Sequence, residues 1–216
     1  MTSSSTDPRR ERTRSALIAA GLTLFAERAP EAVTIDRIVE TAGVGKGSFY
    51  NHFSGREALL QAIANRLRED VEDRIAEANS GVGDAAVRMA RANCCYYRFA
   101  IEQRERARFA VRVGWPMARP DRRLDEGLQR DLARGMESRR FNVASAGAGI
   151  VLVQGVVREA VATLLDSPND ARTGATLCEL VAMVLLGLGV ERAESRDLAS
   201  AAVERIVMPA LCGPPR

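Results

Sequence analysis

Apolar positions recur along most of the chain at steps of three, four and seven, and strand-like alternation of β-branched and aromatic residues is rare. That period predicts helices nearly throughout. Ile18, Leu22 and Phe25, with Leu17 and Leu24 beside them, trace a first helix. Asp7 before Pro8 predicts its cap and first residue, and Ala29 and Pro30 mark its end. Thr34 predicts the cap of a second helix, with Val33 and Ile38 placed to form a hydrophobic staple. Ile35, Ile38, Val39 and Ala42 give that helix one apolar face, and Gly43 suits the left-handed residue that ends it. A short helix is predicted over 45–51. Ser54 and Glu57 fit a capping box opening a long helix over 54–79, with Leu60, Ala64, Leu67, Val71 and Ile75 as its seam. After "NSGVGD" a helix over 84–103 is predicted, with continuation to Val113 as the alternative, then one over 121–139. The stretches 143–165 and 170–188 carry few charges, and helices apolar around most of their circumference must be buried on more than one side. A last helix is predicted over 195–211. The fold class expected is all-α.

Composition narrows the setting. The chain has 216 residues and 46% hydrophobic content, enough for one large domain or a small one joined to a larger. Net charge is +3 and the pI is near 8.9, which permits an anionic partner without demanding one. The polar start "MTSSSTDPRR" has no apolar core of a secretory signal, and no uncharged apolar run reaches the length of a membrane span, so a cytoplasmic protein off the membrane is expected. Cysteines stand at 94, 95, 178 and 212 with no CxxC, and there is one histidine. A metal site is therefore not expected, nor is any cofactor. Four reduced thiols are the expected state, with a redox-sensing role for Cys94 and Cys95 as the alternative.

The stretch "AGVGKGSFYNHF", residues 42–53, concentrates unusual chemistry around His52. A general base needs a nucleophile or an orienting carboxylate, and no G-x-S-x-G, HExxH or Walker pattern accompanies it, so no enzyme is expected. A helix, a glycine-containing turn and a second short helix instead make a helix-turn-helix. Gly45 and Gly47 allow the second helix to approach another surface closely. Lys46 and Arg56 suit phosphate contact through charge, and Thr34 suits it through its hydroxyl and the nearby backbone N–H groups. Tyr50 can bring its hydroxyl to a phosphate. Ser48 and Asn51 can hydrogen-bond base edges in a major groove, while Asn51 can alternatively cap the short helix. Phe49 and Phe53 are expected in the core, and His52 is assigned to packing or a phosphate contact.

The segment "TIDRIVETAGVGKGSFYNHFSGREALLQAI" resembles the DNA-binding domain of the tetracycline-repressor (TetR) family of bacterial transcription regulators. "RTRSALIAAGLTLFAERAPEAV" resembles that family's first helix. Two positions depart from the family habit: Gly45 stands where serine often caps the recognition helix, and Arg56 where lysine is common. The resemblance implies a tail over 1–8, a helix-turn-helix domain over 9–53, and a helical ligand-binding and dimerisation domain over 54–216. It implies a homodimer on near-palindromic double-stranded operator DNA, acting as a repressor released by a small molecule. For the dimer contact the two apolar helices are the candidates, through Gly147, Ile150, Val151, Gln154, Gly155, Arg158, Leu177, Leu180, Val181 and Val184. For the effector, Leu67, Val71, Ile75, Cys94, Tyr97, Phe99, Phe109, Trp115 and Met117 are the candidates. Polar residues are sparse among them, so an apolar or aromatic ligand is expected.

Overall fold

The computed structural model describes residues 7–113, 126–166 and 172–212. Helices are the only regular elements among them. Helix α1 (Pro8–Glu27) starts as its sequence implies: the Asp7 carboxylate accepts the Arg9 N–H at 2.9 Å and Pro8 holds the first position. A 3₁₀ turn, Pro30–Ala32, leads to α2 (Ile35–Ala42), where the Thr34 hydroxyl accepts the Arg37 N–H at 3.2 Å. Gly43 ends α2 at φ 65°, a left-handed conformation that costs glycine nothing. Helix α3 (Lys46–Tyr50) follows at once, opened by Gly45 without a side-chain cap.

Helix α4 (Arg56–Ala78) corrects two details of the sequence reading. Its cap is Gly55, not Ser54, and no side chain caps it. Glu57 turns to the Arg56 guanidinium at 3.0 Å instead of reaching back to Ser54. The buried seam is Leu59, Ile63, Ala64, Leu67 and Val71, while Leu60 and Ile75 are only half-buried. Helix α5 (Ala85–Glu102) is capped by the Asp84 carboxylate, which accepts the N–H groups of Ala86 and Val87. It does not continue to Val113, because Gln103 leaves helical geometry (φ −133°, ψ 57°) and α6 (Arg104–Arg112) starts in a new direction.

Helices α7 (Glu126–Glu137), α8 (Ala146–Asp166) and α9 (Thr173–Gly187) complete the wall of the larger region. Helix α10 (Arg192–Ala202) begins three residues before Ser195, because the Glu191 carboxylate caps it by accepting the N–H groups of Ala193 and Glu194. A π-helical turn, Val203–Val207, joins it to α11 (Met208–Cys212). By length and composition α8 could cross a membrane. Here it packs against α5, α6, α7 and α9, and it carries Arg158 and Glu159 on its outer side. That is the placement of a core helix.

One buried apolar cluster is continuous across residue 54. It runs from Leu17, Leu24 and Phe25 of α1 through Leu59 and Ile63 of α4 to Phe109 of α6 and the bundle behind. The Phe25 and Phe109 rings lie 6.2 Å apart, so α1 is fastened to α6 as well as to α2 and α4. Arg104 at the start of α6 donates to the carbonyls of Leu164 and Leu165, closing the open end of α8. The small N-terminal helices therefore rest on the larger bundle through packed side chains.

Candidate nucleic-acid interface

The short helix α3 is held by its aromatic residues. Phe49 is fully buried and Phe53 nearly so, with ring centroids 5.8 Å apart. The Arg14 guanidinium of α1 sits 5.4 Å over the Phe53 ring. His52 is half-buried, with its ring 6.3 Å from that of Phe53. On the other side, Lys46, Gly47, Tyr50 and Asn51 are exposed, as is Thr34 at the start of α2, and Ser48 is half-buried. Tyr50 is 53% exposed and meets the Phe49 ring edge-on at 5.5 Å. A Cβ added at Gly45 or Gly47 would meet nothing within 4 Å, so this edge of backbone is open.

The electrostatics sort the cations. Lys46 pairs with Asp36 of α2 at 2.7 Å, and both side chains are exposed. The hydrogen bond and charge of Asp36 raise the Lys46 pKa and keep its ammonium charged. Arg56 is half-buried: it donates to the carbonyls of Glu31 and Val33 at 3.1 and 3.4 Å, fastening the turn before α2. A hollow of about 480 Å³ beside α3 is lined by Asp7, Arg9, Arg10 and Thr13 at the start of α1 together with Ser48, Asn51 and His52. Sequence reasoning missed the α1 residues, although the run "RRERTR" signalled dense positive charge next to the motif.

A second concavity, about 380 Å³, opens between α4, α5, α7 and α8. Met89, Asn93, Asp131, Val153, Gln154 and Val157 form its buried wall. Glu72, Asp73, Glu126 and Arg130 are exposed at its rim. Of the effector candidates among the described residues, only Ile75 lines it. Leu67, Val71, Cys94, Tyr97, Phe99 and Phe109 are packed in the core, all 2% exposed or less, and do not line the concavity. Trp115 and Met117 lie outside the described residues. The wall is more polar than the sequence reading anticipated, because its polar members are spread over three helices.

Burial also overturns the redox alternative. Cys94 is fully buried and Cys95 is 4% exposed. Burial, reinforced by the neighbouring thiols, pushes the Cys94 pKa far above its ordinary value, and burial pushes Cys95 up to about 11. Since the thiolate is the reactive species, neither is fit to sense oxidants. In native protein at pH 8 a thiol-specific reagent is expected to label exposed Cys212 well before Cys94 or Cys95. Peptide mapping after brief labelling checks this, and early modification of Cys94 would contradict it.

The outer face of α8 and α9 is a third surface. Gly147, Val151, Gly155 and Arg158 are exposed there, and Ile150 and Leu180 are half-buried. Val151 and Met183 are 73% and 61% exposed. Of the ten dimer candidates, Gln154, Val181 and Val184 turn into the protomer's own core, whereas Leu177, 2% exposed, lines a groove on this face. A groove of about 670 Å³ along this face is lined by Gly155, Val156, Thr163, Thr176, Leu180 and their neighbours.

A helix-turn-helix seated on a larger helical bundle defines a class of DNA-binding regulator, and comparison with known proteins identifies it. Residues 17–63 match the model of bacterial regulatory proteins of the tetR family, and residues 84–201 match that of the tetracyclin repressor-like C-terminal domain. The chain belongs to the tetR family of DNA-binding transcriptional regulators. Among curated relatives, the HTH-type transcriptional repressor KstR2 of Rhodococcus jostii (strain RHA1) is 36% identical over 27% of this chain and 28% of its own length. The HTH-type transcriptional regulator SrpR of Pseudomonas putida is 38% identical over 29% of each protein. These matches span less than a third of either relative. A solved structure of RolR in complex with resorcinol is 29% identical, with a TM-score of 0.61 over 89% of this chain and 95% of that one. CprB from S. coelicolor A3(2), at 22% identity and a TM-score of 0.68, shares the fold.

Proposed function

We propose that this chain is a repressor that binds a near-palindromic operator as a homodimer and releases it when a small organic molecule enters the C-terminal bundle. The observation that carries the reading is α3, a helix with a buried aromatic base under an exposed edge of Lys46, Gly47, Tyr50 and Asn51. Such an edge fits a major groove, where Asn51 and Ser48 read bases and Lys46, Tyr50 and Thr34 hold phosphates. Arg9, Arg10 and His52 extend the phosphate contact. Arg56 acts chiefly by holding the turn that positions Thr34.

The exposed parts of α8 and α9 suit the second copy, with Gly147 and Gly155 allowing close approach and Val151, Ile150, Leu180 and Arg158 supplying contact. The cavity between α4, α5, α7 and α8 suits the effector, with a small aromatic molecule as the ligand class. RolR, a structural neighbour, was solved with resorcinol. Helix α4 joins the two functions: Arg56 anchors its first turn beside α2, while Glu72 and Ile75 line the cavity near its other end. A ligand shifts the spacing of two recognition helices only as far as it prefers one bundle shape to the other.

The Lys46–Asp36 pair supplies a specific expectation. Asp36→Asn removes the carboxylate that competes with phosphate for the ammonium. Affinity for DNA is expected to rise about threefold to tenfold at low salt, for specific and shuffled duplexes alike. Fluorescence anisotropy measures both, and a loss of affinity would argue against a phosphate role for Lys46.

The reading itself is tested by selecting a duplex from a random library and comparing Lys46→Ala with Asn51→Ala. Lys46→Ala should weaken all sequences about equally, whereas Asn51→Ala should relax preference at particular base pairs. Failure of the wild-type protein to enrich any sequence would overturn it.

A further inference from the structure

Resting on the effector reading above, we propose that the cavity between α4, α5, α7 and α8 takes a neutral molecule bearing hydroxyl or amide N–H donors, and rejects carboxylates. The reason is an acceptor that the fold leaves idle. Asn93 is 1% exposed and lines the cavity. Its amide N–H donates to the Met89 carbonyl at 2.8 Å, but its Oδ1 has no partner among the described residues. A buried carbonyl oxygen without a donor is costly, and nearly all such groups in folded proteins are satisfied. That oxygen is covered as the side chain stands, so a ligand hydroxyl restores the missing bond once the amide turns toward the cavity.

Charge around the cavity decides against anions. Asp131 at the wall holds Arg88 through two bonds, Nε to Oδ1 at 2.8 Å and a second between the other pair at 3.2 Å. Arg88 spends its remaining reach on the carbonyls of Asn79 and Val82. The only cation lining the cavity besides Arg88, among the described residues, is Arg130 at the rim, opposed there by Glu72, Asp73 and Glu126. A carboxylate entering this space would face an excess of like charge and lose its water without a committed partner. Met89, Val153 and Val157 offer an apolar surface for a ring or short chain, and the volume of about 380 Å³ limits the ligand to a small one.

Three probes separate the possibilities on the full-length protein by calorimetry: resorcinol, 1,3-dimethoxybenzene and benzoate. They share one ring and differ in donors and charge. Resorcinol is expected to bind at least about tenfold more tightly than either of the others, the value of one hydrogen bond to a buried acceptor. In Asn93→Leu, which removes the idle oxygen at similar volume, the advantage of resorcinol over 1,3-dimethoxybenzene should shrink to about twofold. Equal or tighter binding of benzoate or 1,3-dimethoxybenzene, or binding of none of the three, would overturn this ligand class. So would full retention of the resorcinol preference in Asn93→Leu. If that variant does not fold, the three-probe comparison on the unaltered chain decides. Binding to the selected duplex, measured separately without any probe, tests the regulator reading, so the two can fail independently.

Discussion

Replacing Phe49 with alanine is expected to lower stability by about 3–5 kcal/mol and to abolish specific DNA binding. The ring is fully buried, packs on Phe53 at 5.8 Å and meets Tyr50 edge-on at 5.5 Å. Helix α3 has only five residues, too few to persist without tertiary packing. Phe49 is the only residue of α3 that is fully buried, so its loss removes the seat of the recognition helix. Thermal unfolding should shift down by roughly 6–20 °C, since each kcal/mol moves a chain of this size by about 2–4 °C. Phe49→Leu keeps most of the buried volume and should cost less than half as much. A midpoint unchanged in Phe49→Ala would show that α3 is not held by its apolar face.

Asp131→Ala is the second large change expected, at about 3 kcal/mol. Asp131 and Arg88 lie 43 residues apart in sequence and join α7 to α5. Their side chains are only 9% and 22% exposed, so removing the carboxylate leaves a guanidinium in a site that water reaches poorly. The bonds from Arg88 to the carbonyls of Asn79 and Val82 survive and limit the damage. The double replacement Arg88→Met with Asp131→Leu should recover most of the loss, because an apolar pair of similar volume carries no desolvation penalty. Chemical denaturation of Arg88→Met, Asp131→Leu and the double variant measures the coupling. Additive effects would contradict a working ion pair.

These two sites also show what the sequence could and could not reveal. The seat of α3 was legible because its signals are local: Thr34 as cap, Gly43 as the left-handed end, and aromatics at 49 and 53 one turn apart. The cavity was not. Its floor is assembled from Asn93, Asp131 and Gln154, on three different helices, and no short-range spacing links them. Aromatic candidates such as Phe99 and Phe109 were drawn into the core instead, the usual fate of large rings in a bundle. The end of α5 at Gln103 was one of two readings, since the apolar period runs on toward Val113 while the backbone leaves helical geometry there. At Ser54 a fitting cap motif went unused because the helix starts two residues later, after Gly55, and Glu57 found Arg56 instead. The dimer face was half legible: small residues at 147 and 155 are outside, but a helix apolar all round does not declare which side faces its own core.

The proposed reading of double-stranded DNA rests on α2 and α3. Its most direct test is the affinity of the protein for a library-selected duplex and a shuffled one, measured by anisotropy across a salt series. Reading by α3, with phosphates held around it, predicts a preference of about a thousandfold or more for the selected duplex and a steep fall in affinity with salt for both. Equal affinity for the two duplexes at every salt concentration would contradict it.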